Sequence, residues 1–157
     1  MKADCLVQQL SSAKRFFEKT LSIFDEADSK FSPSAGLFSV CQHVEHTAQT
    51  IDWFVAGTFG EGGFDMDFAR HDAETRAVTS LEQARKHLVA AFANAKEVVG
   101  SKSEAELDAM FPANDPIMPG VPRGTVVGGI MDHSAHHRGS LSVYARLIGK
   151  VPPMPYM

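Results

Sequence analysis

Four stretches of the chain carry apolar residues at the three- and four-residue spacing of an α-helix, and this repetition leaves few folds open. The stretches run from about Ala3 to Asp25, from about Ser34 to Ala56, from Ser80 to Val99 and from about Thr125 to Ile148. No stretch shows the period-two alternation that is typical of a strand. Amphipathic helices of this length bury their apolar faces against one another, so the sequence predicts an all-α four-helix bundle.

Capping residues and helix breakers predict where these helices begin and end. Ser34 is expected to cap the second helix and Gly57 to end it. Ser80 is expected to cap the third helix, Gly100 to end it, and Gly149 to end the fourth. Two long connections remain, residues 58–79 and residues 101–124, and connections of this length are often functional or serve as the crossovers of a bundle.

The first long connection is rich in glycine and phenylalanine. Its large apolar side chains are Phe59, Phe64, Met66 and Phe68. They either line a pocket or close the end of the bundle, and apolar residues more often do the second.

Length, charge and cysteine content narrow the class of protein. A chain of 157 residues suits a single domain spanning residues 1–157. A formal net charge of −4 argues against nucleic-acid binding, and no apolar run approaches the roughly 20 residues that span a membrane. The N-terminal segment lacks the apolar core of a signal peptide, so a cytoplasmic location is expected. Cys5 and Cys41 match no paired motif and are expected to be free thiols.

Five of the seven histidines fall in two groups, one on the second predicted helix and one on the fourth. The groups are His43 with His46, and His133 with His136 and His137. Residues four apart share one face of a helix, so His133 and His137 are stacked one turn apart. This is the usual way in which one helix supplies two ligands to a metal ion.

The direction of each histidine on the fourth helix follows from a rotation of about 100° per residue. With Val127 at the origin, the apolar face centres at about 330°, His137 lies at about 280° and His133 at about 240°. His136 lies at about 180°, further toward solvent.

The same arithmetic on the second helix starts from Leu37 and places the centre of the apolar face at about 330° again. His43 then lies at about 240° and His46 at about 180°, further toward solvent. Three side chains therefore reach the inner margin of the bundle: His43, His133 and His137. Three neutral imidazoles between two helices form a transition-metal site with open positions.

A histidine at the edge of an apolar face is more often a hydrogen-bonded structural residue than a ligand, so the spacing leaves both interpretations open. His71 and His87 stand alone in the sequence and are expected at the surface or in local structural roles. Asp132 and Glu45 point away from the apolar faces, so neither is expected to be a metal ligand.

Motifs along the chain resemble those of the DinB/YfiT-like superfamily. Its last-helix signature is similar to DHSAHHRGSLSVYARLIGKVPPMPY, and its second helix to LFSVCQHVEHTAQTIDWFVAG. The segment that many members carry before the third helix is similar to FDMDFARHDAETRAVTSLEQA. The resemblance implies an up-down-down-up bundle, often a homodimer, with a divalent metal, often nickel or zinc, on three histidines. The matching positions are His43, His133 and His137, while a shifted alignment favours His46 over His43.

The function that the resemblance implies is divided. Some relatives are thiol-dependent transferases or isomerases in which the metal activates a low-molecular-weight thiol, and many members have no known activity. A coordinated thiol loses its proton near neutral pH, which favours a metal-dependent thiol S-transferase acting on an electrophile. A metal-binding or stress-response protein without catalysis and a helical interaction protein without metal are the alternatives. Three ligands with an open position favour the enzyme, because structural zinc is usually four-coordinate and closed.

Overall fold

The predicted apolar faces meet in one core in the computed structural model, which describes residues 1–156. Six α-helices follow one another: α1 (Ala3–Leu21), α2 (Val40–Phe59), α3 (Phe68–Ala77), α4 (Leu81–Gly100), α5 (Glu104–Asp108) and α6 (Val126–Leu147). The part of the chain described contains no strand, and its single β-bridge pairs Met110 with Pro122. The prediction of an all-α fold is therefore confirmed.

The four long helices α1, α2, α4 and α6 build the bundle. α1 and α2 each pack against both α4 and α6. Each long helix contributes fully buried side chains to the shared core, among them Phe17, Ile51, Phe92 and Ile130. Full burial of one such side chain stabilises the fold by about 1.5–3 kcal/mol, so apolar packing accounts for the association of the helices. The up-down-down-up order of helix directions stays a prediction.

The observed ends of the first two helices differ from the predicted ones because local caps intervene. α1 ends at Leu21 rather than Asp25, since Asp25 instead caps a short 3₁₀ turn with its own side chain. α2 begins at Val40 rather than near Ser34. A capping box, in which Ser39 and Gln42 satisfy each other's backbone N–H groups, fixes the start of this helix.

Gly57 lies inside α2 and does not end it, which corrects the predicted stop. The helix continues to Phe59. Gly57 is buried, and a Cβ at this position would overlap the ring of Phe64. The glycine therefore allows a phenylalanine of the long connection to lie directly against the backbone of α2.

α3 is a helix that apolar spacing did not predict. The side chain of Asp67 caps its N-terminus by accepting from the N–H of Arg70. Thr75 is its one buried residue, so the helix has no apolar face from which to recognise it. Its attachment to α2 is largely polar, since Gln49 donates to Glu74 and accepts from the Thr75 hydroxyl. The ring of Phe68 also contacts the indole of Trp53.

The remaining predictions lie close to the observed structure. α4 and α6 agree with the third and fourth predicted helices to within about two residues, and Ser80 caps α4 as expected. Cys5 is exposed, Cys41 is buried, and both are free thiols. No helix in residues 1–156 combines the length and apolar character that crossing a membrane requires.

Candidate metal centre

Three histidines from α2 and α6 bring their Nε2 atoms together at the margin of the bundle. Nε2 of His133 lies 3.3 Å from Nε2 of His46 and 3.2 Å from Nε2 of His137. Ligand nitrogens of the three residues all lie within 4.8 Å of one another. His137 is buried, and His46 and His133 are half-buried, so the cluster lies between core and solvent.

The spacing of these nitrogens fits one small metal ion. Two nitrogens bound to a tetrahedral ion at about 2.0–2.1 Å lie about 3.3 Å apart, which matches the observed distances. Nε2 of His133 faces both other Nε2 atoms, and a nitrogen carries at most one proton. When each of the three rings carries its proton on Nδ1, the three Nε2 lone pairs face one another, and one cation accepts all of them.

The three rings are neutral near pH 7. Burial, reinforced by repulsion from neighbouring imidazoles, lowers the pKa of His133 to about 4 and the pKa of His137 to about 2. Burial also lowers the pKa of His46. Neutral imidazole is the form that donates a lone pair to a metal, so the site is prepared for an ion without loss of protons.

His43 touches this cluster from the other side of His137. Its Nδ1 lies 2.8 Å from Nδ1 of His137 and so leaves Nε2 of His137 directed at the cluster. The ring of His43 packs edge-on against Tyr144 and Phe38 at centroid distances of 5.0 and 5.8 Å. Burial lowers the pKa of His43 to about 4, so this ring is neutral as well. The arrangement is that of a residue that orients a ligand.

The structure therefore brings together His133 and His137, two of the three residues predicted from the sequence, and joins them with His46. The rotation arithmetic ordered the second-helix histidines correctly by depth, since His43 is buried and His46 only half-buried. The Nε2 atoms of His133 and His137 lie at the margin of the bundle rather than in its interior, so His46, the less buried of the two α2 histidines, reaches them. The ligand role of His43 stays a prediction.

The other polar residues near the cluster point elsewhere. His136 and Asp132 are exposed on α6. Glu45 lies 2.9 Å from Nδ1 of His87 on α4 and faces away from the three Nε2 atoms. The donor set in residues 1–156 is thus three neutral imidazoles without a carboxylate.

The two isolated histidines, His71 and His87, have defined polar partners, which agrees with local structural roles. His87 lies between two carboxylates of α2, with Nε2 2.9 Å from Asp52. His71, at the start of α3, has Nε2 3.5 Å from a carboxylate oxygen of Asp65, and its side chain is 18% exposed. Neither position belongs to an apolar stripe or a spaced motif, so the sequence carried no signal for these contacts.

Three clefts open beside the histidine cluster, and the largest, of about 630 Å³, runs along Trp53, Asp132, His133 and His136. Two smaller clefts contact the cluster as well. The first, which we call the aromatic cleft, encloses about 210 Å³, and its lining includes His46, His133, Trp53, Phe68 and His71. The second, which we call the outer cleft, encloses about 540 Å³, and its lining includes His43, His137, Phe38, Arg76 and Tyr144. The cluster is thus accessible from both sides.

Comparison with known proteins agrees with this architecture. A family model described as the DinB family matches residues 1–157. Among solved structures, a conserved protein from Enterococcus faecalis is similar, with a TM-score of 0.72 and 21% sequence identity over 96% of this chain and 99% of that one. At this identity the likeness shows the fold alone. No curated protein matches the chain.

Proposed function

Because the chain belongs to the DinB family, we propose that it holds one divalent transition metal, nickel or zinc, and transfers a low-molecular-weight thiol to an electrophile. The observation that supports this proposal is the meeting of three neutral Nε2 atoms, from His46, His133 and His137, beside the aromatic and outer clefts. A closed structural zinc site has four protein ligands, and this cluster offers three.

The histidines of the chain would bind and orient the metal ion, and the positive charge of the ion would stabilise a thiolate. An ion bound by three neutral ligands keeps its full charge and, as a Lewis acid, lowers the pKa of a thiol. His43 fixes the ring of His137 through the Nδ1 contact, which keeps Nε2 directed at the cluster. In the transfer, the thiol sulfur bonds to the electrophilic carbon while the bond from that carbon to the leaving group breaks. The leaving group departs with that electron pair, and the thiol proton passes to water.

The reacting thiol comes from outside the chain in this proposal. Cys41 is 1% exposed, and its Sγ donates to the carbonyl of Val78 in the core. Cys5 lies on α1, which contributes no residue to the histidine cluster or to either cleft. The aromatic and outer clefts provide separate approaches for two substrates, with the larger of these two next to His137.

The experiment combines metal analysis with an assay of thiol consumption. Purified protein is loaded with nickel or zinc and mixed with a chromogenic aryl electrophile and glutathione, bacillithiol or mycothiol in turn. We expect catalysed conjugation with one of them, lost in His133→Ala and retained in Cys41→Ala. His136 lies outside the cluster of Nε2 atoms but lines the outer cleft, so His136→Ala is the matched control for metal content alone. Stoichiometric metal without a rate above buffer for any thiol would leave metal binding without catalysis as the function.

A further inference from the structure

Trp53 and Phe68 form an aromatic pair in the aromatic cleft. Their ring centroids lie 6.1 Å apart, with the planes inclined by 58°. The indole of Trp53 is fixed in place, since its Nε1 donates to the carbonyl of Asp65 at 2.7 Å and its ring contacts Phe64 at 4.7 Å. Phe68 is 55% exposed, so a large part of its ring has no protein covering it. A ligand in the cleft therefore finds one fixed and one accessible aromatic surface.

The size of the cleft limits its occupant. A cavity of about 150 Å³ suffices for benzene, so about 210 Å³ takes one substituted ring. Flat ligands gain from offset or edge-on contact with indole and phenyl rings, beyond the burial of apolar area. The volume and the two rings together favour a small planar molecule.

The charge of the lining limits the occupant further. None of the described side chains that line the cleft is an aspartate, glutamate, lysine or arginine. In the metal-free protein, an ion placed there would lose water without gaining a partner of opposite charge, which is costly. Gln49 already uses both ends of its amide on α3. His71, whose Nε2 faces Asp65, keeps Nδ1 for a polar substituent of the ligand.

We infer that the electrophile of the proposed reaction is a small, uncharged, planar aromatic molecule that binds against the open faces of Trp53 and Phe68 next to His46 and His133. This inference rests on the proposed function for its chemistry. Its binding step is tested separately, because occupancy of the cleft requires neither a thiol nor turnover.

The test uses the fluorescence of Trp53, the one tryptophan of the chain. The probe is 4-nitrobenzyl alcohol, an unreactive aromatic quencher, titrated into the metal-free protein, so that a bound ion does not attract the charged competitor. We expect saturable quenching that weakens at least tenfold in Phe68→Ala and less in Phe68→Leu, which keeps apolar volume without the ring. Tyr156→Ala, the matched control, changes an aromatic residue of similar exposure, 63%, outside the cleft and is expected to bind like the wild type.

Two further ligands test the class of molecule. Cyclohexanol, similar in size but not planar, is expected to displace the probe poorly, and so is the anion 4-nitrobenzoate. Linear, unsaturable quenching that is equal in the wild type and Phe68→Ala would overturn the inference, as would tighter binding of 4-nitrobenzoate than of the alcohol. Saturable binding of the probe without any catalysed thiol transfer would instead refute the proposed function and leave the aromatic ligand site standing.

Discussion

Nδ1 of His43 on α2 lies 2.8 Å from Nδ1 of His137 on α6, so the two neutral rings share one proton across the helix interface. When His137 carries that proton on Nδ1, the lone pair of its Nε2 is free toward His133 and His46. Such hydrogen bonds set both the tautomer and the orientation of a metal-binding imidazole. His43 therefore orients the metal-binding ring of His137, a role that can be distinguished by measurement from that of a metal ligand.

Replacing His43 with phenylalanine keeps a ring in the space beside Tyr144 and removes the hydrogen bond to His137. We expect the affinity for nickel or zinc to fall by about 10–100-fold with one ion still bound at saturation. Competition with a chromogenic chelator measures both quantities. Complete loss of stoichiometric binding would instead make His43 itself a ligand, as the sequence predicted.

Replacing His46 with alanine removes one of the three converging Nε2 atoms. We expect stoichiometric metal binding to be lost, as in His133→Ala and His137→Ala, because two imidazoles on one helix hold an ion much more weakly than three. His136→Ala is the control, since that side chain is exposed and outside the cluster. Retention of one tightly bound ion by His46→Ala would contradict the ligand set inferred from the geometry.

Removal of the metal is expected to leave the bundle folded. The core is built from apolar side chains of four helices, and full burial of each contributes about 1.5–3 kcal/mol without any ion. Circular dichroism before and after chelation should show nearly the same helix content. A wholesale loss of helix would show that metal binding and folding are one process, as in zinc fingers.

His87 predicts a pH dependence of stability. Its hydrogen bonds to Asp52 and Glu45 raise its pKa to about 10. Because the pKa is raised on folding, the stabilisation by the charged ring is complete below about pH 6.5 and disappears as the pH rises through about 10. His87→Gln should lower the free energy of unfolding by about 1.5–3 kcal/mol near pH 6. This is less than the whole pKa shift would correspond to, because the ring is about one-third exposed and solvent screens its charge.

Urea unfolding of wild type and His87→Gln, from mildly acidic to alkaline buffer, measures this difference. We expect the two proteins to approach each other in stability toward pH 10. A constant difference across the range would show that packing of the ring, and not its charge, stabilises the contact between α2 and α4.

Two helical glycines are expected to respond in opposite directions to the same substitution. A Cβ at Gly57 would overlap the ring of Phe64, so Gly57→Ala should destabilise the protein by about 1–3 kcal/mol. Gly128 on α6 is exposed, and a Cβ there would have no neighbouring atom within 4 Å. Gly128→Ala should stabilise by about 0.5–1 kcal/mol, because alanine favours the helix. Opposite shifts in Tm are the expected result, and a rise in both would refute the overlap at Phe64.

The sequence predicted the four long helices because each buries a continuous apolar face, and a face of this kind is visible as spacing. α3 was not predicted because it has no continuous apolar face. Thr75 is its one buried residue, and Gln49 of α2 holds it through hydrogen bonds. The start of α2 was missed because Ser34 and Ser39 look alike as caps, and the box with Gln42 decides between them. Spacing thus predicts helices that build the core better than helices that lie on it.

The candidate site divides in the same way. His133 and His137 were recognisable because their relation lies within one helix. Whether His43 or His46 of α2 joins them depends on how far from the core the side chains of the two helices meet. The rotation of residues about one helix axis does not give that distance. His71 reaches the aromatic cleft because α3 packs against α2. No motif in the sequence predicts this packing.

α3 is attached to α2 by hydrogen bonds and by the contact between Phe68 and Trp53. The aromatic cleft is therefore expected to exist in a closed and a minor open form. Hydrogen bonds such as those of Gln49 each contribute only about 0.5–1.5 kcal/mol net, so a helix attached this way opens locally at far lower free energy than the bundle unfolds. We expect molecules larger than one ring to bind to this open form. Their apparent affinity is reduced in proportion to the fraction of molecules in which Phe68 has moved away from Trp53.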